Sequence, residues 1–79
     1  MITVKLTGPL EKLAPAGSEN GPFRLEFSEG MTQAALIESL GIDGMGIRYM
    51  VLVNNSRKTN EYVLNDSDSV IIMPLLVGG

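Results

Sequence analysis

The sequence predicts an α+β fold in which one main helix packs on one face of a sheet of four to five strands. Apolar residues alternate with polar ones over residues 2–7 and 23–27, which is the period of a half-buried strand. The period lengthens to that of a helix over 32–40, and two mainly apolar runs follow at 49–53 and 70–73. Since a helix and a sheet each bury one apolar face, the two are expected to pack together.

The composition is that of one small acidic domain. A chain of 79 residues can build one hydrophobic core, so residues 1–79 are predicted to form a single domain. The net charge of -3 disfavours binding to nucleic acid or to a membrane and favours a basic partner. Cysteine and histidine are absent, which excludes thiolate, imidazole and zinc chemistry, so the chain is not expected to be an enzyme. With no membrane-spanning run and no signal peptide, we expect a cytoplasmic protein.

The first half of the chain predicts a hairpin and a helix. The strand over 2–7 ends at Gly8-Pro9, and the long loop that follows, up to Pro22, could contain one helical turn at 10–14. The strand over 23–27 is expected to pair with the first as a hairpin. The helix over 32–40 places Leu36, Ile37 and Leu40 on one face.

The ends of this helix carry the expected signals, and the second half of the chain predicts strands. Thr32 can cap the helix start and Gly41 suits its end, after which 42–48 is a glycine-rich connection. The run 49–53 is continuously apolar, which is typical of a strand covered on much of both faces. We predict a turn over 56–60, a short edge strand over 61–63, a tight turn over 65–68 and the last strand over 70–73.

Three short motifs are better explained by structure than by chemistry. Asp66 and Asp68 are predicted to cap backbone amides of a turn, since a lone Asp-x-Asp lacks the further ligands of a cation site. Arg57 and Lys58 are predicted to be solvated surface at a hairpin tip. The Gly-Met-Gly segment 44–46 lacks the lysine and the strand-to-helix setting of a phosphate-binding loop. No metal or cofactor site is therefore predicted.

Three further segments carry a resemblance to a known family. They are Val53-Asn54, the segment 64–70 and the terminal Gly78-Gly79. The segment matches the pattern Leu-x-Asp-Gly-Asp-x-Val except that Ser67 replaces the glycine. The chain thus resembles the ubiquitin-like sulfur carriers of the MoaD/ThiS group, most of all the small subunit of molybdopterin synthase. It departs from them after Pro74, where the family commonly has a second proline.

The resemblance implies a fold and a reaction. The fold would be a ubiquitin-like β-grasp with a mixed sheet. A ubiquitin-activating-like partner would use ATP and Mg to adenylate the terminal carboxylate of Gly79, which would become a thiocarboxylate and donate sulfur for molybdopterin synthesis. The second partner would be the large subunit of molybdopterin synthase or another sulfur acceptor. The chain would be a carrier that binds no cofactor itself.

The end of the chain suits that task. Gly78 and Gly79 lack a Cβ, so the backbone can enter a narrow channel without a side-chain collision. Residues 75–79 are expected to form a flexible tail because Pro74 cannot continue a strand ladder. Leu75, Leu76 and Val77 would then be exposed and are predicted to contact the partners.

Other functions fit the same pattern. The sulfur could go to the thiazole of thiamin or to a tungsten cofactor. The chain could instead be a protein modifier joined to lysine amines, or a plain interaction module whose terminal glycines are incidental.

Overall fold

The computed structural model describes residues 1–18 and 21–75. It contains one α-helix and a five-stranded sheet with the strand order β2-β1-β5-β3-β4. Strand β5 runs parallel to β1 and antiparallel to β3, and the outer pairs are antiparallel, so the predicted α+β fold with a mixed sheet is confirmed. The elements are β1 (Ile2–Leu6), β2 (Phe23–Leu25), α1 (Gln33–Leu40), β3 (Tyr49–Val53), β4 (Ser56–Arg57) and β5 (Ser69–Pro74), with 3₁₀ helices at Gly8–Leu13 and Ile42–Met45.

The core lies between α1 and one face of the sheet. It takes alternate residues of the strands because successive side chains of a strand point to opposite faces. Its buried members are Ile2, Val4, Leu6, Phe23, Val51, Val53, Val70 and Ile72 from the sheet, Leu36 and Ile37 from α1, and Leu10, Ile42 and Leu64 from the connections. Among the described residues, no helix has the length and apolar character that crossing a membrane requires.

The helix has the predicted capping residues. The Thr32 hydroxyl oxygen accepts a hydrogen bond from the Ala35 amide at 3.1 Å. Gly41 adopts a left-handed conformation with φ of 74° at the other end. Leu36 and Ile37 are buried and Leu40 is half-buried, so the predicted apolar stripe faces the core.

The segment that follows β4 forms hydrogen bonds to the first residues of α1. The sequence pattern did not predict these bonds. The amides of Gln33 and Ala34 donate to the carbonyl oxygens of Tyr62 and Asn60, at 2.9 and 3.0 Å. The buried Gln33 side chain donates from Nε2 to the Lys58 carbonyl oxygen and to Asn60 Oδ1. These bonds satisfy amide groups that a helix start leaves without intrahelical partners.

The predicted turn over 56–60 and edge strand over 61–63 are wrong. Asn54 and Asn55 take left-handed conformations, with φ of 51° and 68°, which suits a two-residue hairpin turn. The chain therefore pairs with β3 immediately, at β4. Residue 63 makes only an isolated bridge to Thr32, because its neighbours bond to the helix start.

Three smaller differences concern element bounds. Strand β2 ends two residues before the predicted end at Phe27. The long loop contains the six-residue 3₁₀ helix Gly8–Leu13 in place of a single helical turn over 10–14, because Leu10 is fully buried in the core. The connection 42–48 likewise contains a 3₁₀ helix around the buried Ile42.

The turn before β5 is organised by Asp68, as predicted. Its buried carboxylate accepts from Asn54 Nδ2 and from the Asn65 amide, each at 2.8 Å, while Asn54 Oδ1 accepts from the Ser69 amide at 2.9 Å. The exposed Asp66 carboxylate accepts from the amino group of Met1, and this bond and charge lower the pKa of Asp66. The two carboxylates thus have separate partners and no shared site.

Ser67 occupies the glycine position of the pattern Leu-x-Asp-Gly-Asp-x-Val, and its φ is 74°. We expect Ser67→Gly to stabilise the chain by about 0.5 to 1 kcal/mol, because relief of left-handed strain (about 1 to 2 kcal/mol) exceeds the entropy cost of a glycine. Urea unfolding measures the change. The control Ser28→Gly, at an exposed position without positive φ, should be neutral or destabilising. Equal effects of both substitutions would contradict the strain argument.

Candidate functional site at the end of the last strand

Strand β5 leads to the candidate site and is paired along both edges. On one side β1 aligns with it in parallel, from Thr3 opposite Ser69 to Leu6 opposite Ile72. On the other side β3 aligns with it antiparallel up to Tyr49 opposite Pro74. The described strand therefore holds the base of the tail in the centre of the sheet.

Pro74 ends this pairing on one side only. The Thr7 amide donates to the Ile72 carbonyl oxygen at 3.2 Å, and the next bond of a parallel ladder would need an amide at position 74, which proline lacks. On the β3 side the Leu75 amide still donates to the Arg48 carbonyl oxygen at 2.9 Å. The main chain is therefore held one residue further than the predicted exit at Pro74.

Gly8 lets the chain turn sharply beside Pro74. It has φ of 58°, and a Cβ placed on it would lie 3.1 Å from Pro74 Cγ. A larger residue would meet both backbone strain and the proline ring. The first 3₁₀ helix begins at this glycine and packs beneath the end of β5, so the base of the tail rests on a second element.

Tyr49 supports the same region from β3. It lies opposite Pro74, and its hydroxyl donates to Asp43 Oδ1 at 2.8 Å. Burial, this hydrogen bond and the negative charge of Asp43 together raise the pKa of Tyr49 to about 12. The second 3₁₀ helix is thereby attached to the strand that holds Leu75.

The predicted site residues fall in two groups. Leu75 is described, and 43% of it is exposed, so it is available to a partner. Leu76, Val77, Gly78 and Gly79 lie outside the described residues, and their roles stay predictions. In the described ranges 1–18 and 21–75, no group of three or more His, Cys, Asp or Glu side chains converges on a possible metal position.

The sequence pattern did not identify an apolar surface on the other face of the sheet. Its members are Met50, Leu52, Ile71 and Met73, which form the cross-strand pairs Met50–Met73 and Leu52–Ile71 and are half-buried. They alternate with the core residues of β3 and β5 and so face away from α1. We call these four residues the outer apolar face. Leu75 directly follows β5, continues the alternation of Ile71 and Met73, and extends the face towards the tail. The continuous apolar run 49–53 indicates this face, because it places apolar residues on both sides of the strand while α1 can cover only one side.

Gly8→Ala should destabilise the chain more than Gly46→Ala. Both glycines have positive φ, of 58° and 66°, so alanine costs about 1 to 2 kcal/mol at either position. Only at Gly8 would the new methyl group also meet Pro74. Thermal and urea unfolding measure the difference. Equal losses would show that Gly8 and Pro74 are not in close contact.

A chain in which Tyr49 is the only tyrosine tests the contact with Asp43. The sequence has two tyrosines, so Tyr62→Phe leaves Tyr49 alone, and its phenol absorbance should titrate near pH 12. Adding Asp43→Asn should lower that midpoint because the negative charge is removed. An unchanged midpoint in the double variant would contradict the contact.

Solved structures of three proteins share this fold. SAMP1 from Haloferax volcanii is 18% identical with a TM-score of 0.73, and the match covers 99% of this chain and 98% of that chain. A protein from Pyrococcus furiosus described as molybdopterin converting factor subunit 1 is 21% identical with a TM-score of 0.75, over 92% of this chain and 94% of that chain. Urm1 from Trypanosoma brucei is 23% identical with a TM-score of 0.72, over 99% of this chain and 94% of that chain. At these identities the likeness shows a common ubiquitin-like β-grasp fold.

A search of curated proteins found no match. The model of the ThiS family matches residues 4–79, nearly the whole sequence. The chain therefore belongs to the ThiS family.

Proposed function

We propose that this chain carries sulfur as a thiocarboxylate on Gly79 and donates it in molybdopterin biosynthesis. The observation that carries the proposal is the combination of family membership with a tail base held in the centre of the sheet up to Leu75. A carrier without cysteine cannot hold sulfur as a side-chain persulfide. The proposal takes the carboxylate of Gly79 as the terminal carboxylate of the chain.

The carboxylate needs activation before sulfur can be added. An ordinary terminal carboxyl has a pKa of about 3.5, so it is ionised at neutral pH and resists nucleophilic attack. In the partner enzyme, a carboxylate oxygen attacks the α-phosphate of ATP and pyrophosphate leaves, with Mg and protein cations stabilising the charge. A persulfide sulfur then attacks the acyl carbon and AMP leaves. Cleavage of the resulting sulfur–sulfur bond by a thiol releases the thiocarboxylate and oxidises the donor to a disulfide.

In this proposal the chain presents its terminal carboxylate to the partner enzyme and supplies no catalytic group. Gly78 and Gly79 have no side chain to block a channel, and the last four residues reach at most ~14 Å when extended. Leu75 remains fixed to Arg48, so the reach is measured from a defined point on the sheet. Leu76 and Val77 would add apolar contacts to the partner. The chain is thus a cosubstrate of the adenylating enzyme and the non-catalytic subunit of a sulfurtransferase.

The choice of acceptor depends on the pattern of residues and on one structural relative. Segment 64–70 resembles the small subunit of molybdopterin synthase, and the relative from Pyrococcus furiosus is described as a molybdopterin converting factor subunit. We therefore place the large subunit of molybdopterin synthase as the second partner. Thiazole of thiamin and a tungsten cofactor are the alternative destinations, and purified acceptor enzymes would distinguish them by which one consumes the loaded chain.

A second candidate function is covalent modification of proteins. It is favoured by the similarity to a chain that is described as small archaeal modifier protein 1. The same acyl adenylate would then react with a lysine amine and release AMP, forming an amide bond. Conjugates of higher mass in cells, absent for a chain without Gly79, would support this function. A plain interaction module would give neither product.

Deletion of Gly79 should abolish sulfur loading without unfolding the chain. After incubation with its adenylating enzyme, ATP, Mg and a persulfide donor, the intact chain should gain about 16 mass units as sulfur replaces oxygen. Mass spectrometry should show no gain for the shortened chain. Its thermal unfolding should match that of the full chain, because the described core ends at β5.

Two outcomes would contradict the proposal. One is the absence of a mass gain on the full chain with an enzyme that is active on ATP. The other is a large loss of stability on deletion of Gly79, which would indicate a structural role for the terminus.

A further inference from the structure

Strand β2 is an edge of the sheet whose outer side is open. Among residues 1–18 and 21–75, β1 is the one strand that pairs with β2. The Thr3 amide donates to the Asp68 carbonyl oxygen, which lies on the β5 side of β1, at 3.0 Å. Since both main-chain groups of a strand residue point to the same side, Thr3 exchanges no hydrogen bond with Arg24, which lies opposite it in β2. The N–H and C=O groups of Arg24 therefore point to the open side of β2.

Glu26 continues this open edge one residue beyond β2. Bonded and unbonded pairs alternate along an antiparallel ladder, so Leu25 is bonded to Ile2 and its main-chain groups point inwards. Leu25 and Phe27 are half-buried and Glu26 is exposed, so the alternation of an extended chain continues past Leu25. In the described part of the chain, no bond outside the ladder of β1 and β2 reaches the main chain of Arg24 or Glu26. The open edge therefore offers two N–H and two C=O groups to another strand.

The side chains along this edge carry charges of opposite sign. Arg24 and Glu26 are exposed on the same face, and within the described ranges neither forms an ion pair or a side-chain hydrogen bond. On the opposite face Phe23 is buried, and Leu25 and Phe27 pack against the core. The segment Phe-Arg-Leu-Glu-Phe is therefore symmetric about Leu25 in its apolar residues, while its two charges are opposite. Two such strands in antiparallel order can place each Arg24 opposite a Glu26.

We propose that the open edge of β2 binds the same edge of a second copy of this chain, with a two-fold axis at Leu25. Each Arg24 then lies opposite Glu26 of the second copy, and the two residues exchange two main-chain hydrogen bonds and form an ion pair. The axis creates this pair twice. On the core side, Leu25 meets its own copy and Phe23 lies opposite Phe27. The two five-stranded sheets would join into one continuous sheet.

The charges select this register. An axis at Arg24 would place arginine opposite arginine, and an axis at Glu26 would place glutamate opposite glutamate, which is unfavourable for directly opposed residues. A shift by one residue would set the open main-chain groups of Arg24 opposite a residue whose own groups point to β1. Like charges on an edge strand usually prevent such pairing, but charges of alternate sign do not prevent pairing with a second copy.

Other occupants fit the edge less well. The opposite edge of the sheet, β4, is two residues long, and a contact between β2 and β4 would be head-to-tail and would leave further edges open. An unrelated strand would need Glu opposite Arg24 and Arg opposite Glu26, whereas a second copy supplies both. Strand β1 separates β2 from β5, so the dimer leaves Leu75 accessible and does not depend on the proposed function.

Exchange of the two charges tests the dimer and its register. Arg24→Glu makes positions 24 and 26 both acidic, Glu26→Arg makes both basic, and the double variant restores opposite charges in reversed order. Arg57→Glu is the matched control, because it changes the net charge as Arg24→Glu does but lies on β4. Sedimentation equilibrium up to millimolar concentration measures the dimer dissociation constant. Thermal unfolding confirms that each variant folds, as expected for exposed side chains.

We expect each single exchange to raise the dimer dissociation constant at least about tenfold, since two ion pairs become two repulsions. The double variant and Arg57→Glu should stay within about threefold of the original chain. The two single variants, when mixed, should form a heterodimer, because one supplies two acids and the other two bases. An original chain that stays monomeric at millimolar concentration would overturn the proposal. So would equal losses from Arg24→Glu and Arg57→Glu, or a double variant that does not regain the dimer.

Hydrogen exchange of single amides tests whether the β2 edge is the contact. The amides of Arg24 and Glu26 should exchange more slowly as the concentration rises, because they become bonded in the dimer. The Leu25 amide is already bonded to Ile2 and should change little. A dimer without slower exchange at Arg24 and Glu26 would show that the copies meet elsewhere and would contradict the proposal.

Discussion

The structure depends on one constraint: its last strand is paired on both sides. Strand β5 closes the sheet between β1 and β3, so residues from the two ends of the sequence must meet before the core is complete. Proline at position 74 then withholds the amide that would extend the pairing with β1, while Leu75 keeps its bond to Arg48. The described strand with the most paired residues is thus also the one that leads to the tail. Under the proposed function, such an arrangement would let a short tail react without weakening the fold.

The alternation of the strands separates the core from the outer apolar face. Inward residues such as Val70 and Ile72 fill the core against α1, whereas outward residues such as Ile71 and Met73 lie half-buried on the outer apolar face. Substitutions on the outward side can change charge and shape at little cost to the core, since they do not remove buried packing.

Much of the fold could be predicted because local signals agreed with it. Strand periodicity, the Thr32 cap and the Gly41 end located β1, β3, β5 and α1 closely. The edge strand was missed because β4 has no apolar pattern and exists through the left-handed Asn54-Asn55 turn. The bonds from Asn60 and Tyr62 to the helix start are long-range, and no local pattern encodes them. The roles of Gly78 and Gly79 stay predictions from the sequence, whereas the outer apolar face could be identified only from strand register.

The central claim is that the terminal carbon of Gly79 is activated by reaction with ATP. Exchange of labelled pyrophosphate into ATP by the adenylating enzyme measures this step alone, because only a reversible acyl adenylate returns the label. The account predicts exchange that requires the folded chain and disappears when Gly79 is removed. Exchange that is absent with the intact chain, or that persists without Gly79, would contradict it.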